Sequence, residues 1–82
     1  MLGNKSEIFL DKIVEKVKEE RKKRNISQLK LANMLEFSSP NYIAKIETRK
    51  HNVSYNLTHL YKIAEAFDME TTDFIPSKKE LS

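Results

Sequence analysis

The 82-residue chain contains no cysteine and no tryptophan, and it has only one glycine and two prolines. Because cysteine is absent, disulfide bonds and thiolate metal ligands are excluded, and the packing of secondary structure has to supply the stability. The shortage of glycine and proline leaves few turn signals, which predicts a chain that is nearly all helical. No apolar run approaches the length of about 18 residues that a membrane-spanning helix needs.

The first residues, MLGNKSEIF, lack the basic and apolar regions of a secretory signal, so we expect a cytoplasmic protein without a membrane partner. The length corresponds to one small domain, which we place at residues 1–75, followed by a flexible tail at residues 76–82. Fifteen lysines and arginines against twelve aspartates and glutamates give a formal net charge of +3. This charge is modest, and its distribution is more informative than its size.

Ahead of the tail, the basic residues form two groups. The first lies between Lys16 and Arg24, where a solvated helix face with cations near its C-terminus accounts for the pattern. The second group, within residues 45–51, follows a polar helix start. That position favours a surface that binds an anionic partner.

The spacing of apolar residues predicts five helices. Ser27 and Asn56 are suitable N-caps for the second and fourth helices, and Ser39 followed by Pro40 is typical of the start of the third. At the end of the first helix, Asn25 can take the left-handed conformation of a C-terminal cap. The expected segments are 4–25, 28–36, 40–48, 57–67 and one turn within 71–75. They predict a compact all-α five-helix bundle with no room for an internal cavity.

The outward side of the third helix carries side chains suited to DNA bases. The amide of Asn41 matches adenine, and the ammonium of Lys45 matches the acceptors of guanine. Pro40 and the ring of Tyr42 can pack against a thymine methyl group. An ordinary solvated helix can carry the same residues, so the surrounding arrangement has to decide between the two interpretations.

Residues 27–48 have the order of a helix-turn-helix unit: a short helix, a break, and a second short helix with a polar N-terminal half. In such a unit the second helix lies in the major groove and the first crosses the DNA backbone. The side chains around these two helices then meet phosphates. The predicted phosphate-binding residues are Gln28, Ser39, Arg49, Lys50, His51 and Asn52.

The segments RKKRNISQLKLANMLEFSSPNYIAKIE and YKIAEAF together resemble the Cro/C1-type (XRE) helix-turn-helix family, over roughly residues 13–75. The resemblance implies a lambda-repressor-like bundle that binds double-stranded DNA. It also implies base reading by Pro40, Asn41 and Lys45, and a partly buried ion pair between Arg21 and Glu47. Two positions at which the family usually has glycine depart from the pattern.

These two departures are Glu36, in the turn, and Arg49, after the third helix. A left-handed conformation is uncommon for such residues and costs free energy. We therefore expect that the turn at Glu36 is not the ordinary tight one and that the backbone at Arg49 is rearranged.

The family resemblance further implies a homodimer that reads a pseudo-palindromic operator, with two recognition helices about 34 Å apart. Met69, Phe74 and Ile75 are the expected dimer interface. Alternatively, Phe74 and Ile75 close the core of the monomer. Stand-alone domains of this kind resemble phage-type repressors and restriction–modification controllers, and the motif Asn52-Val53-Ser54 slightly favours the controllers.

Other classes of protein are less well supported. The two histidines, His51 and His59, have neither cysteine nor a paired acid site near them in the sequence, so we expect no enzyme, no metal and no cofactor. An antitoxin whose main partner is a toxin protein remains the alternative. Such a protein usually needs a segment that wraps its partner, and only residues 1–6 and 76–82 are spare.

Overall fold

The computed structural model describes residues 4–50 and 52–81, with the side chain of residue 4 excluded. No strand occurs in these residues, and the prediction of an all-α fold is confirmed. The predicted fifth helix is a 3-10 helix, and a second 3-10 helix follows it. In chain order the elements are α1 (Asn4–Lys23), α2 (Gln28–Met34), α3 (Asn41–Thr48), α4 (Leu57–Phe67), the first 3-10 helix (Thr71–Phe74) and the second 3-10 helix (Lys79–Leu81).

A single hydrophobic core receives side chains from all four α-helices and from the first 3-10 helix. On each α-helix the buried positions recur at intervals of three and four residues, which places them on one side. Removing this apolar surface from water is the main source of stability in so small a domain. The buried apolar residues are Ile13, Val14, Val17, Leu31, Ala32, Leu35, Ile43, Ile46, Tyr55, Leu60, Ile63, Ala64, Phe67 and Phe74.

Non-glycine residues in the left-handed conformation follow the ends of all four α-helices, and three of these ends share one hydrogen-bond pattern. Asn25, Glu36 and Asp68 have φ angles of 55°, 62° and 58°. After each of them the next backbone N–H donates to a carbonyl five residues earlier, as Phe37 does to Ala32 at 2.9 Å. This is the Schellman arrangement that usually has glycine at the left-handed position. The expectation for Asn25 is confirmed, whereas the expected departure from a tight turn at Glu36 is wrong, because Glu36 adopts the glycine conformation itself.

Arg49 also ends α3 in the left-handed conformation, with φ 58° and its N–H donating to the carbonyl of Ile46. The next N–H, of Lys50, donates to the Thr48 hydroxyl at 3.3 Å instead of to a carbonyl five residues earlier. The expected rearrangement is therefore absent at Arg49 itself, which adopts the conformation of the usual glycine. Its guanidinium donates to Glu7 at 2.6 Å, to Asp11 at 2.8 Å and to the carbonyl of Val53. These charge-assisted bonds between α3 and α1 offset the cost of the left-handed conformation.

Two observations concern the C-terminal segment. Phe74 is only 1% exposed and belongs to the core, so it is not available to a second chain as the expected dimer interface requires, and for Phe74 the alternative that it closes the core of the monomer is confirmed. The expected flexible tail contains the second 3-10 helix. There the N–H of Ser77 donates to the Glu80 carboxylate at 2.7 Å, and the N–H of Glu80 donates to the Ser77 hydroxyl at 3.3 Å. These reciprocal bonds order a segment that lacks apolar periodicity.

Candidate nucleic-acid interface

Side-chain caps define the beginnings of α2 and α3. The hydroxyl of Ser27 accepts from the N–H of Lys30 at 3.0 Å, which confirms Ser27 as the N-cap of α2. The hydroxyl of Ser39 accepts from the N–H of Asn41 at 3.1 Å. Pro40 already has helical angles, φ −66° and ψ −17°, so it forms the first turn of α3. The cap at Ser39 therefore determines where α3 starts and which side chains lie in its first turn.

The two sides of α3 differ sharply in exposure. Ile43 and Ile46 are fully buried against the core. On the opposite side, the predicted base-reading residues share one solvent-exposed surface; they are Pro40, Asn41, Tyr42 and Lys45. No hydrogen bond or ion pair within residues 4–50 and 52–81 engages the ammonium group of Lys45. Its charge is therefore available to an anionic or acceptor-rich partner.

The structure brings Arg21 and Glu47 together in a two-pronged ion pair. The Nε of Arg21 donates to Glu47 Oε2 at 2.8 Å, and its Nη2 donates to Oε1 at 3.1 Å. The remaining guanidinium nitrogen donates to the carbonyl of Ile26 at 2.7 Å, in the segment between α1 and α2. Only 9% and 4% of the two side chains are exposed. The pair therefore holds the end of α3 against α1 from a position with little access to water.

Gln28 is the third member of this network. Its amide nitrogen donates to Glu47 Oε1 at 2.8 Å, so one of its two amide hydrogens is already used. The predicted contact of Gln28 with a phosphate consequently depends on the second hydrogen. The carboxylate of Glu47 orients the amide at the start of α2, next to the exposed side of α3.

The other predicted phosphate-binding residues lie in different environments. Lys50 and Asn52 are exposed just beyond α3, and Ser39 is partly buried at its start. Arg49 is engaged by acidic residues of α1, so binding a phosphate would require it to leave those partners. His51 lies outside the described residues.

Three aromatic rings connect α3 to α4, and this contact was not predicted in the sequence analysis. The ring of Phe37 packs edge-to-face against Tyr42 and against His59, with centroid distances of 4.9 Å in both cases. The Nδ1 of His59 accepts the N–H of Asn56 at 3.1 Å, and the Asn56 side chain accepts the N–H of His59 at 2.7 Å. This reciprocal cap confirms Asn56 as the N-cap of α4. Burial, and secondarily the charge of Lys62, lowers the pKa of His59 below its ordinary value.

One signal in the sequence points toward this cluster. A capping box normally has Glu or Gln three residues after the cap, and His59 occupies that position after Asn56. Phe37 carries no comparable signal, because an apolar residue just after a helix end is usual. Its contact with Tyr42 could be found only from the fold.

The basic group on α1 is partly neutralised by Glu20. This carboxylate binds Arg24 at 2.6 Å, Lys16 at 3.3 Å and Lys23 at 3.4 Å. The hydrogen bond from Arg24, together with the two lysines and against the effect of burial, lowers the pKa of Glu20 to about 2. Arg24 also donates to the carbonyl of Phe67, which ties the end of α1 to the end of α4. These ion pairs and hydrogen bonds therefore stabilise α1 and its packing against α4.

Other kinds of site find no support within residues 4–50 and 52–81. No three histidine, aspartate or glutamate side chains there are grouped as a metal site requires. Likewise, none of the described helices is both long enough and apolar enough to cross a membrane.

Comparison with known proteins gives one match. A family model described as a helix-turn-helix domain matches residues 14–80, which include all of α2, α3 and α4. Neither the curated proteins nor the solved structures returned a significant match.

Proposed function

The chain belongs to a helix-turn-helix domain family, and from this we propose that it is a sequence-specific, DNA-binding transcriptional regulator that places α3 in the major groove. The observation that carries the proposal is the exposed polar side of α3. It combines an amide, a free ammonium group, a phenol ring and a proline at the beginning of a helix whose opposite side is buried. Within the family, the Cro/C1-type (XRE) group is the one that we propose.

Each base-reading residue has a defined chemical complement. The amide of Asn41 can bond adenine at two positions, and Lys45 can donate to the O6 and N7 atoms of guanine. The Tyr42 ring, 39% exposed, and the Pro40 ring offer apolar surface to a thymine methyl group. This set discriminates among base pairs only if α3 lies along the base edges.

The proposed phosphate contacts surround α3. Gln28 would use its second amide hydrogen, and Ser39, Lys50 and Asn52 would contact the backbone at the two ends of α3. Arg49 is left out of this set, because its guanidinium already binds Glu7, Asp11 and Val53. Phosphate contacts position the protein without reading sequence, so they determine mainly the salt dependence of binding.

We further propose a homodimer, because one short helix reads too few base pairs for a unique operator. Met69 and Ile75 are half-buried at the C-terminal side of α4 and remain candidates for the interface. Leu57 and Tyr61, 74% and 56% exposed on α4, form a second apolar surface. Sedimentation of the variants Ile75→Lys and Leu57→Lys distinguishes the two surfaces, since only the substitution within the interface shifts the protein toward a monomer.

The gene that the protein regulates would be identified by locating the operator sequence in the genome. We favour a restriction–modification controller or a phage-type repressor, on the resemblance stated for Asn52-Val53-Ser54. A neighbouring methyltransferase or endonuclease gene would support a controller. A neighbouring toxin gene would instead support the antitoxin alternative.

The test is selection from a pool of randomised DNA duplexes, followed by binding of the enriched sequences at two salt concentrations. We expect an inverted repeat with half-sites about one helical turn apart and an affinity that falls steeply with salt. A pool that yields no enriched sequence, with only weak salt-sensitive binding, would contradict the proposal and would favour a protein partner.

A further inference from the structure

The ring of Tyr42 on α3 is not isolated. Its edge-to-face contact with Phe37, at 4.9 Å and 87°, is made in the turn that joins α2 to α3. Phe37 in turn meets His59 at 4.9 Å and 88°, at the first turn of α4. A half-exposed ring on a DNA-facing helix is therefore in contact, through one intermediate ring, with a histidine on another helix.

The orientation of His59 is fixed by the cap of α4. Because the N–H of Asn56 donates to Nδ1 of His59, that nitrogen carries no proton, and the neutral ring has its hydrogen on Nε2. Protonation of Nδ1 removes the acceptor. It also places a positive charge in the first turn of a helix, where the helix dipole is already positive. The observed ring position therefore belongs to neutral His59.

The charged and titratable groups near His59 add to this preference. On α4 itself, Lys62 is a like charge that opposes protonation. From the preceding loop, Tyr55 faces the ring at a centroid distance of 6.3 Å, and burial raises the pKa of its hydroxyl, so it stays neutral. From the turn between α2 and α3, the group in contact is the apolar ring of Phe37. None of these groups supplies a negative charge to stabilise a protonated ring.

We propose that Phe37 and His59 are positioning residues for DNA recognition: neutral His59 holds Phe37, and Phe37 holds the ring of Tyr42 in the orientation that reads the operator. This inference rests on the proposed function, and it adds a pH dependence that the exposed side of α3 alone does not predict. As the pH falls through the pKa of His59, the contact is lost and the discrimination that depends on Tyr42 decreases. Above that pKa the contact is complete.

The first experiment needs no DNA. Nuclear magnetic resonance of the free protein follows the ring protons of Tyr42 between pH 8 and about pH 5.5, with circular dichroism as the check that the protein stays folded. Because the pKa of His59 is lowered, the titration is continued below about pH 5.5 until the His59 ring signals themselves reach a plateau. We expect the Tyr42 signals to move with the same midpoint as His59. The ring of Tyr61, exposed on α4 with its hydroxyl donating to Glu65, is the internal control and should not follow that midpoint.

Two variants separate positioning from folding. His59→Gln keeps a capping-box acceptor and cannot titrate, so the movement of the Tyr42 signals should disappear. Phe37→Leu keeps an apolar side chain and removes the ring, so the Tyr42 signals should shift at every pH. Tyr42 signals that are unaffected by His59 protonation and by Phe37→Leu would overturn the proposal.

The second experiment uses the selected operator. Phe37→Leu should reduce discrimination at the base step read by Tyr42 by about 2- to 10-fold, the range expected for an aromatic pair. In the double variant with Tyr42→Ala the two losses should not add. If no operator is found, both this proposal and the proposed function are overturned. If an operator is found and Phe37→Leu reads it as the unmodified protein does, only the role of Phe37 and His59 is overturned.

Discussion

Removing the carboxylate of Glu47 should destabilise the fold more than any surface charge would. In Glu47→Ala, Arg21 loses two charge-assisted hydrogen bonds, and Gln28 loses its acceptor. Among the partners that the structure describes for the Arg21 side chain, within residues 4–50 and 52–81, the carbonyl of Ile26 is the one that is left. Its side chain is 9% exposed, so water replaces the lost carboxylate only in part.

The expected magnitude follows from the burial of this pair. Removing one partner of a buried ion pair typically costs about 3–5 kcal/mol, because the other charge is left without compensation. An 82-residue domain has a free energy of unfolding of roughly 4–12 kcal/mol. Glu47→Ala therefore removes at least about a quarter of the free energy of unfolding, which should lower the urea midpoint clearly.

Urea unfolding followed by circular dichroism measures this effect, and a double-mutant cycle assigns it to the pair. Arg21→Met should also be costly, since it strands Glu47, whereas the double variant Arg21→Met/Glu47→Leu should be much less destabilised than the two single variants together. Gln28→Ala is the control for the loss of one hydrogen bond, at about 1 kcal/mol. Glu7→Ala, which breaks a more exposed pair with Arg49, should cost about 0–1 kcal/mol.

A cost of Glu47→Ala no larger than that of Glu7→Ala would contradict a stabilising role of the buried pair. Additive effects of the single substitutions at Arg21 and Glu47 would contradict it too, because additivity would mean that the two side chains do not stabilise each other. Either result would assign the fixed position of α3 to its apolar contacts and to the bonds of Arg49 with α1.

Three further predictions concern other parts of the chain. Glu36→Gly should raise the free energy of unfolding by about 0.5–1 kcal/mol, because glycine removes the left-handed strain at φ 62°. The gain is limited because glycine makes the unfolded chain more flexible. Asp68→Gly should raise the free energy of unfolding less, since aspartate tolerates the left-handed conformation better. The pKa of Glu20 is lowered from 4.5 to about 2, so its stabilising contribution is complete above about pH 4.5 and is lost as the pH falls toward 2. Urea unfolding of Glu20→Gln across this range should show a weaker dependence on pH. Arg49→Ala should lower stability and leave the salt dependence of operator binding unchanged, whereas Lys50→Ala should reduce its slope by about 1.

For each of these three predictions, one experimental outcome would contradict it. A loss of stability in Glu36→Gly would mean that the side chain of Glu36 contributes more than its conformation costs. An unchanged pH profile in Glu20→Gln would mean that its ion pairs do not depend on folding. A smaller salt slope in Arg49→Ala would make Arg49 a phosphate ligand after all.

The features that could be predicted from the sequence are those that depend on neighbouring residues. The caps at Ser27 and Asn56 need only a suitable side chain within three residues of the donor. The buried side of each helix from α1 to α4 can be recognised from the spacing of apolar residues over a few helical turns. The pairing of Arg21 with Glu47 required the family resemblance, because the two residues are 26 positions apart.

The features that could not be predicted depend on contacts between distant segments. Arg49 keeps a left-handed conformation because its side chain reaches Glu7, 42 residues earlier. For Phe74 the sequence left two interpretations open, the dimer interface and the core of the monomer, because nothing near it in the sequence reveals its burial between α1 and α4. The contact of Phe37 with Tyr42 and His59 likewise arises only when the turn packs on α4.

The central claim is that the exposed side of α3 reads bases, and a comparison of two lysine variants tests it most directly. Selection from randomised duplexes is repeated with Lys45→Ala and with Lys50→Ala, and the enriched sequences are compared with those of the unmodified protein. We predict that Lys45→Ala loses preference at one base step in each half-site and costs about 1–3 kcal/mol of binding, whereas Lys50→Ala weakens all sequences alike. An unchanged preference in Lys45→Ala, or a changed one in Lys50→Ala, would contradict the placement of α3 in the major groove.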